Sequence, residues 1–272
     1  MNLLQRVKKY WDDRPCNIRH SKEPVGTRNY FNEVEYKKYK VEPHISGFAD
    51  FNKWKDKKVL EIGCGLGTET INFARAGARV VAVDMSEKSL ELAKKRAEVF
   101  GLSDKITFYQ GNAEELDKFI PAQKFDLIWS FGVIHHTPNP ENVIECIKKY
   151  LSPSSELRMM VYNKFSWKVF WILFKYGKFK FWDIDKFIAQ NSEAQTGCPI
   201  TYTYTNKSVQ KLLKGFVIDN IKIEHIFPYK IREYKENKFK FIWYFRYLPK
   251  WFFHWLEKRI GWHMCIIARW RI

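Results

Sequence analysis

Between Lys58 and Asn163 the chain alternates short β-branched, apolar runs with stretches of helical period, the pattern of parallel strands joined by crossover helices. KVLEIG, ARVVAVD, KITFYQG, FDLIWS and ELRMMVYN read as strands. A helix from Thr68 to Arg75 is stopped by Gly77, and a longer one from Glu87 to Phe100 has Ser86 as N-cap and Gly101 as C-cap. A third runs from Pro140 to Tyr150 with Asn139 placed as its cap. After Asn163 the rhythm breaks. An aromatic, lysine-rich segment reaches Thr205, followed by a short helix from Lys207 to Lys214 and a strand-like FVIDNIKIEHIF. A second basic aromatic segment then leads to a last strand, HMCIIARW. The pattern divides the chain into an N-terminal helical lid over 1–56, a core over 57–163, an insertion or cap over 164–206, a core helix and sixth strand over 207–227, a basic aromatic insertion over 228–261 and a final core strand over 262–272.

VLEIGCGLGTET carries the most specific chemistry: a buried strand runs into Gly63, Gly65 and Gly67 and then into a helix. Glycines there let the backbone turn sharply and admit a ligand against it. A dinucleotide fingerprint would want another glycine where Thr68 stands, and Glu61 would set a carboxylate close to the pyrophosphate. That charge opposes NAD and suits a cofactor carrying an ammonium group. Asp84 ends the second strand about twenty residues on, where an acidic side chain can accept both ribose hydroxyls. Met85 is placed to pack on adenine, and Asn112 and Ala113, after the third strand, to address its polar edge.

Through these residues the chain resembles class I S-adenosylmethionine-dependent methyltransferases of the "type 11/12" domain group, from Lys58 to Asn163 most closely. The resemblance implies an α/β, Rossmann-like, seven-stranded sheet with β7 antiparallel and helices on both faces. It implies S-adenosylmethionine as cofactor, held by Glu61, Gly63, Gly65, Gly67, Asp84, Met85, Asn112, Ala113 and Ser130. Asn112 stands where the family often has Asp, which keeps an acceptor for the adenine amino group, and Ser154 and Ser155 replace a Gly-Gly turn.

Methyl transfer from a sulfonium is an in-line displacement that needs alignment in a dry pocket more than it needs a base. His135 and His136, in SFGVIHHTPNP after the fourth strand, are the candidate catalytic bases because an ordinary imidazole titrates near neutral pH. The alternative is that they cap the following loop or fill the strand-to-helix turn. Arg14, Arg19, His20, Gln195 and Tyr202, with Cys16 and Cys198, are the polar residues expected around the acceptor. The SFGV turn lacks the Asn-Pro-Pro-Tyr pattern that grips the exocyclic amine of a base, so amino-methylation of nucleic acid is disfavoured.

Charge and composition bear on partners. Of the formal +17, +13 falls from Lys164 onward, where 21 Lys and Arg face 8 Asp and Glu amid many Trp, Phe and Tyr. Such segments suit an anionic membrane surface, a nucleic acid, or a solvated face above a small aromatic core. The apolar windows are interrupted by Lys175, Arg246, Pro249 and Lys250 and are too short to span a bilayer. Five scattered cysteines form no CxxC pair, so neither disulfides nor a metal is indicated, and the N-terminus reads as cytoplasmic. The expected protein is a methyltransferase for a small or lipophilic metabolite. The alternatives are an RNA methyltransferase and a non-catalytic cofactor-binding or membrane-surface protein.

Overall fold

The computed structural model describes residues 1–177, 182, 184–192 and 197–271. Five parallel strands form its centre: β1 (Lys58–Ile62), β2 (Arg79–Asp84), β3 (Ile106–Gln110), β4 (Phe125–Phe131) and β5 (Leu151–Tyr162). With β6 (Phe216–Glu224) and β7 (His263–Trp270) they give the order β3-β2-β1-β4-β5-β7-β6, and β7 runs antiparallel to both neighbours. The seven-stranded, Rossmann-like sheet expected from the sequence is therefore present. Strand order reverses between β1 and β4, so a ligand crevice opens beyond their carboxyl ends.

β1 is buried on both faces after its first residue, and successive side chains enter different cores. Val59 joins Leu127 and Trp129 beneath α4 (Thr68–Arg75) and α5 (Glu87–Phe100). Leu60 and Ile62 join Ile128 beneath α6 (Pro140–Lys148) and α9 (Asn206–Leu212). Ser86 caps α5 through a bond from the Ser89 amide, and Gly101 ends it with φ 68°. Two expectations shift. β5 starts at Leu151, five residues earlier than read, because a bulge opposite Phe125 and Leu127 is filled by Ser155, whose hydroxyl donates to the Phe125 carbonyl at 2.6 Å. Asn139 spends its side chain on Glu114 rather than on the helix it precedes.

The N-terminal segment folds as α1 (Leu3–Asp13), α2 (Arg28–Val41) and α3 (His44–Ala49). α2 is clamped to the core by charge. Lys38 meets Glu69 at 2.6 Å, Glu35 meets Arg75 at 2.7 Å, and Glu35 also meets the fully buried Arg96 at 2.6 Å. Arg96 donates further to Thr68 Oγ1 at 2.7 Å and stacks near Phe31. At the end of α3 the Phe48 and Ala49 carbonyls, which have no partner within the helix, accept from Arg158 of β5.

The rest of the chain forms α7 (Trp167–Lys175), α8 (Ile184–Asn191), α10 (Ile231–Lys235), α11 (Trp243–Arg246) and α12 (Lys250–Ile260). No helix among the described residues is long and apolar enough to cross a membrane. Removing one partner of a buried ion pair strands the other, at a cost of about 3–5 kcal/mol. Arg96→Ala is therefore expected to lower the urea midpoint strongly and to expose α2 to protease; an unchanged midpoint would show that α2 is held by other contacts.

Candidate active site

The turn after β1 is shaped by what each glycine faces. At Gly63, φ is 76° and a Cβ would lie 2.2 Å from the Val133 side chain, so the chain can pass under the loop after β4 only without one. At Gly65, φ is 52° and a Cβ would meet nothing within 4 Å, which marks open space in front of the backbone. Gly67 caps α4. The Gly65 amide donates to Asp84 Oδ2 at 2.7 Å and the Ser86 amide to Oδ1 at 2.9 Å. These bonds pin the carboxylate at the end of β2, and each oxygen keeps a lone pair for a ligand.

Three carboxylates gather here. Glu61, buried on β1, accepts from Thr70 of α4. Glu69, buried on α4, is held by Lys38, and its other oxygen has no partner among the described residues. Burial raises the pKa of Glu61 to about 8, with the neighbouring Glu69 pushing the same way. Asp84 is also raised by burial, against the restraint of the Ser86 and Gly65 amides. Lys38 loses to burial but is held above the ordinary lysine range by Glu69 and Glu42. The crevice is thus short of positive charge, and a cationic ligand would relieve it.

The remaining residues expected to hold a cofactor are arranged around this cradle. Met85 is half-buried beside Asp84, and Asn112 follows β3 with Oδ1 accepting from the Glu114 amide, which leaves a second lone pair and the amide donors. Ala113 is at the edge of the core. Ser130 is sealed in β4 with no partner for its hydroxyl among the described residues. Over Asp84 lies the end of α1: the Ser86 hydroxyl reaches the Trp11 carbonyl at 3.4 Å, and the Trp11 ring stands edge-on to His136 at 5.3 Å.

The two histidines after β4 have different surroundings. His135 is wedged 3.8 Å from the Tyr162 ring, and neither of its nitrogens has a partner among the described residues. His136 places Nδ1 3.1 Å from the Ile200 carbonyl, so that Nδ1 carries the proton and Nε2 keeps its lone pair. Burial drives His135 well below the usual imidazole range and His136 down to about 4. The near-neutral titration that nominated them as bases is absent here. Cys198 and Thr201 also approach His136, at 3.7 and 3.2 Å. Tyr202 donates its amide to the His135 carbonyl.

Of the other acceptor-side residues, His20 bonds Tyr234 at 3.0 Å, Arg14 lies over the Tyr10 ring, and Arg19 is exposed. Cys16 is exposed at the surface, its thiol pushed up by the surrounding protein and drawn down by Lys38. Gln195 lies outside the described residues. Sequence reading missed Lys38, Trp11 and the role of Glu69; only Glu69, inside the glycine motif, carried a local signal.

Fold and crevice together define the class I methyltransferase architecture. A methyltransferase-domain family profile matches residues 53–240, and the chain belongs to that family. One similar curated protein is a ubiquinone biosynthesis O-methyltransferase of Actinobacillus pleuropneumoniae, 38% identical over 111 residues that make up 40% of this chain and 47% of the relative. The chain thus spans about half the length of the curated relatives it matches. Among solved structures, the magnesium protoporphyrin IX methyltransferase of Synechocystis PCC 6803 with bound SAH is 17% identical, with a TM-score of 0.61 over 98% of this chain and 99% of that one. The cyclase SpnF is 15% identical, with a TM-score of 0.56 over 99% and 93%. At such identity the likeness shows the fold, and a cyclase among the neighbours shows that the fold does not fix the reaction.

The raised pKa of Glu61 has a stability consequence. From its unfolded value of 4.5 up to about 8, the folded chain holds a proton that the unfolded chain releases, so rising pH weakens the fold. Glu61→Gln is expected to gain stability over wild type progressively across that window and to run parallel to it outside. Thermal melts from pH 4 to 9 check this; a gap independent of pH would contradict the assignment.

Proposed function

We propose that the chain transfers the methyl group of S-adenosylmethionine to a heteroatom of a small, lipophilic acceptor. The observation that carries this is the acidic glycine crevice, where Glu69 is answered by Lys38, Asp84 by backbone amides, and Glu61 holds a proton that an arriving cation displaces. A ligand with an ammonium and a sulfonium is attracted there and a pyrophosphate repelled. The residues fit such a cofactor: open space lies before Gly65, Asp84 keeps lone pairs for ribose hydroxyls, and Asn112 offers donor and acceptor to adenine. When bound, the cofactor supplies an electrophilic methyl group on positively charged sulfur.

The chain's own task is then alignment and exclusion of water. α1 acts as the lid, with Trp11 against His136. His136, neutral at pH 7, accepts a hydrogen bond from the acceptor through Nε2 and orients it once α1 shifts. His135 fills the space behind it against Tyr162. The O-methyltransferase names of the curated relatives support an oxygen acceptor.

The aromatic segments favour a second partner, an anionic membrane surface. Trp167 of α7 lies 6.0 Å from Tyr244 and 6.3 Å from Phe245 of α11, so the two basic insertions meet. Around that junction Trp243, Tyr247 and Trp251 are 70–77% exposed, with Phe170, Trp171 and Phe174 exposed on α7. Lys175, Arg246 and Lys250 belong to the same elements and are exposed. Large exposed rings beside cations match the headgroup boundary of a bilayer.

Tritiated methyl transfer to a panel of lipophilic phenols is expected to be abolished by Asp84→Ala. It should fall only about three- to tenfold in His136→Ala, the value of one neutral hydrogen bond. No transfer to any acceptor in the panel, or Asp84→Ala at wild-type rate, would overturn the reading, and a hundredfold loss at His136 would make it a base. Sedimentation with phosphatidylglycerol vesicles is expected to enrich the protein at low salt and less so in Trp243→Ala/Trp251→Ala. No enrichment would remove the membrane partner.

A further inference from the structure

A second constellation lies at the same edge of the sheet and takes no part in the cradle. Glu42 precedes α3, His44 opens it, His225 follows β6 and His263 opens β7. In the ladder His263 pairs with Tyr162 and Glu224, which sets it at the carboxyl ends of β5 and β6. Residues from three distant stretches of sequence thus meet. One ligand atom from each of Glu42, His225 and His263 lies within 4.8 Å of the others. His44 adds a fourth group, with Nε2 3.0 Å from His263 Nδ1.

The spacing distinguishes a metal site from a polar network. His263 Nε2 is 3.6 Å from Glu42 Oε1, too long for a hydrogen bond. An ion with bonds of about 2.0–2.2 Å holds tetrahedral ligand atoms about 3.4 Å apart, so this pair already stands at bridging distance. The His44 contact needs one N–H; when His263 Nδ1 supplies it, Nε2 is left as a lone pair on the Glu42 side, the arrangement that fixes a metal-binding imidazole.

The backbone holds the site together at some cost. His225 has φ 71°, a left-handed conformation that a residue with a Cβ adopts only when its surroundings enforce it. Its carbonyl accepts from the Trp262 amide at 2.7 Å. At Gly261 a Cβ would lie 2.3 Å from the Glu224 carbonyl oxygen, so β6 and β7 close here only because a glycine stands there. Arg158, bonded to the last carbonyls of α3, fixes the helix that begins with His44.

We propose that Glu42, His225 and His263 bind a divalent transition-metal ion of the zinc class, with His44 orienting His263. Two imidazoles and a carboxylate are the donor set of ions that keep a position open for a further ligand. Tyr162, at the end of β5, has its ring 6.3 Å from His263 and 5.7 Å from His136, so the site borders the crevice's acceptor side. Resting on the methyl-transfer reading, the open position takes the acceptor's hydroxyl oxygen. The hydroxyl gives its proton to solvent, its oxygen forms the bond to methyl, and the methyl–sulfur bond breaks with sulfur keeping the electron pair.

The test is titration of the chelator-stripped 272-residue chain with Co²⁺, followed by visible absorption and displaced by Zn²⁺. Wild type is expected to take up one equivalent with the intense bands of a four- or five-coordinate ion. Glu42→Gln and His225→Asn, chosen because the first is isosteric and Asn tolerates positive φ, should weaken binding more than about 100-fold. His44→Ala should weaken it about 10–100-fold, and His254→Ala on α12 should leave it unchanged. Wild type that takes up no Co²⁺, or an unaltered titration in both ligand variants, would overturn the site. S-adenosylhomocysteine binding, measured calorimetrically on the same samples, reports the cofactor reading separately: its loss from wild type would sink that reading without touching the metal result.

Discussion

Burying a carboxylate on the central strand is the constraint around which this structure is organised. Glu61 sits in β1, enclosed on both faces, beside Glu69 and Asp84, and water cannot solvate it. The fold answers with Thr70, with the amides that bind Asp84, and with Lys38 brought in from α2. Lys38 comes from outside the sheet-and-helix core, so the N-terminal helices are part of the crevice's electrostatics as well as its roof. The ion pairs of Glu35 with Arg75 and Arg96 hold α2 where Lys38 is needed. A ligand that brings positive charge completes what the apoprotein leaves unbalanced.

What the sequence disclosed followed from locality. β7, α4 and α5 begin and end where the apolar period, Ser86 and Gly101 said they would, because caps and periodicity act within a few residues. The glycine turn and Asp84 were legible for the same reason: strand, turn and helix are contiguous. Lys38 was not, since nothing in EVEYKKYKVEPH distinguishes one lysine among several. Glu42, His44, His225 and His263 were invisible as a group, because the bends that unite them are a property of the closed sheet. The two histidines after β4 show a different limit. Residue type promised a near-neutral imidazole, and burial, which a sequence does not display, removes that property.

The two basic aromatic insertions read as separate segments on the chain and are joined in space through Trp167. Their ridge lies on elements that follow β5 and β6, whereas the cofactor cradle belongs to β1, β2 and the helices that cover them. The cofactor cradle and the exposed aromatic ridge therefore occupy different halves of the sheet, and the histidine cluster lies beside Phe131 at the end of β4. That division explains why the glycine crevice identifies the family while the acceptor is read from other parts of the chain.

The anionic crevice makes one discrimination that an ordinary nucleotide turn would not. Calorimetry of wild type at low ionic strength should show S-adenosylhomocysteine binding with micromolar or better affinity and no measurable heat with NAD. NAD bound as tightly as S-adenosylhomocysteine would contradict the account, because acidic side chains that favour an ammonium group cannot accommodate a pyrophosphate equally.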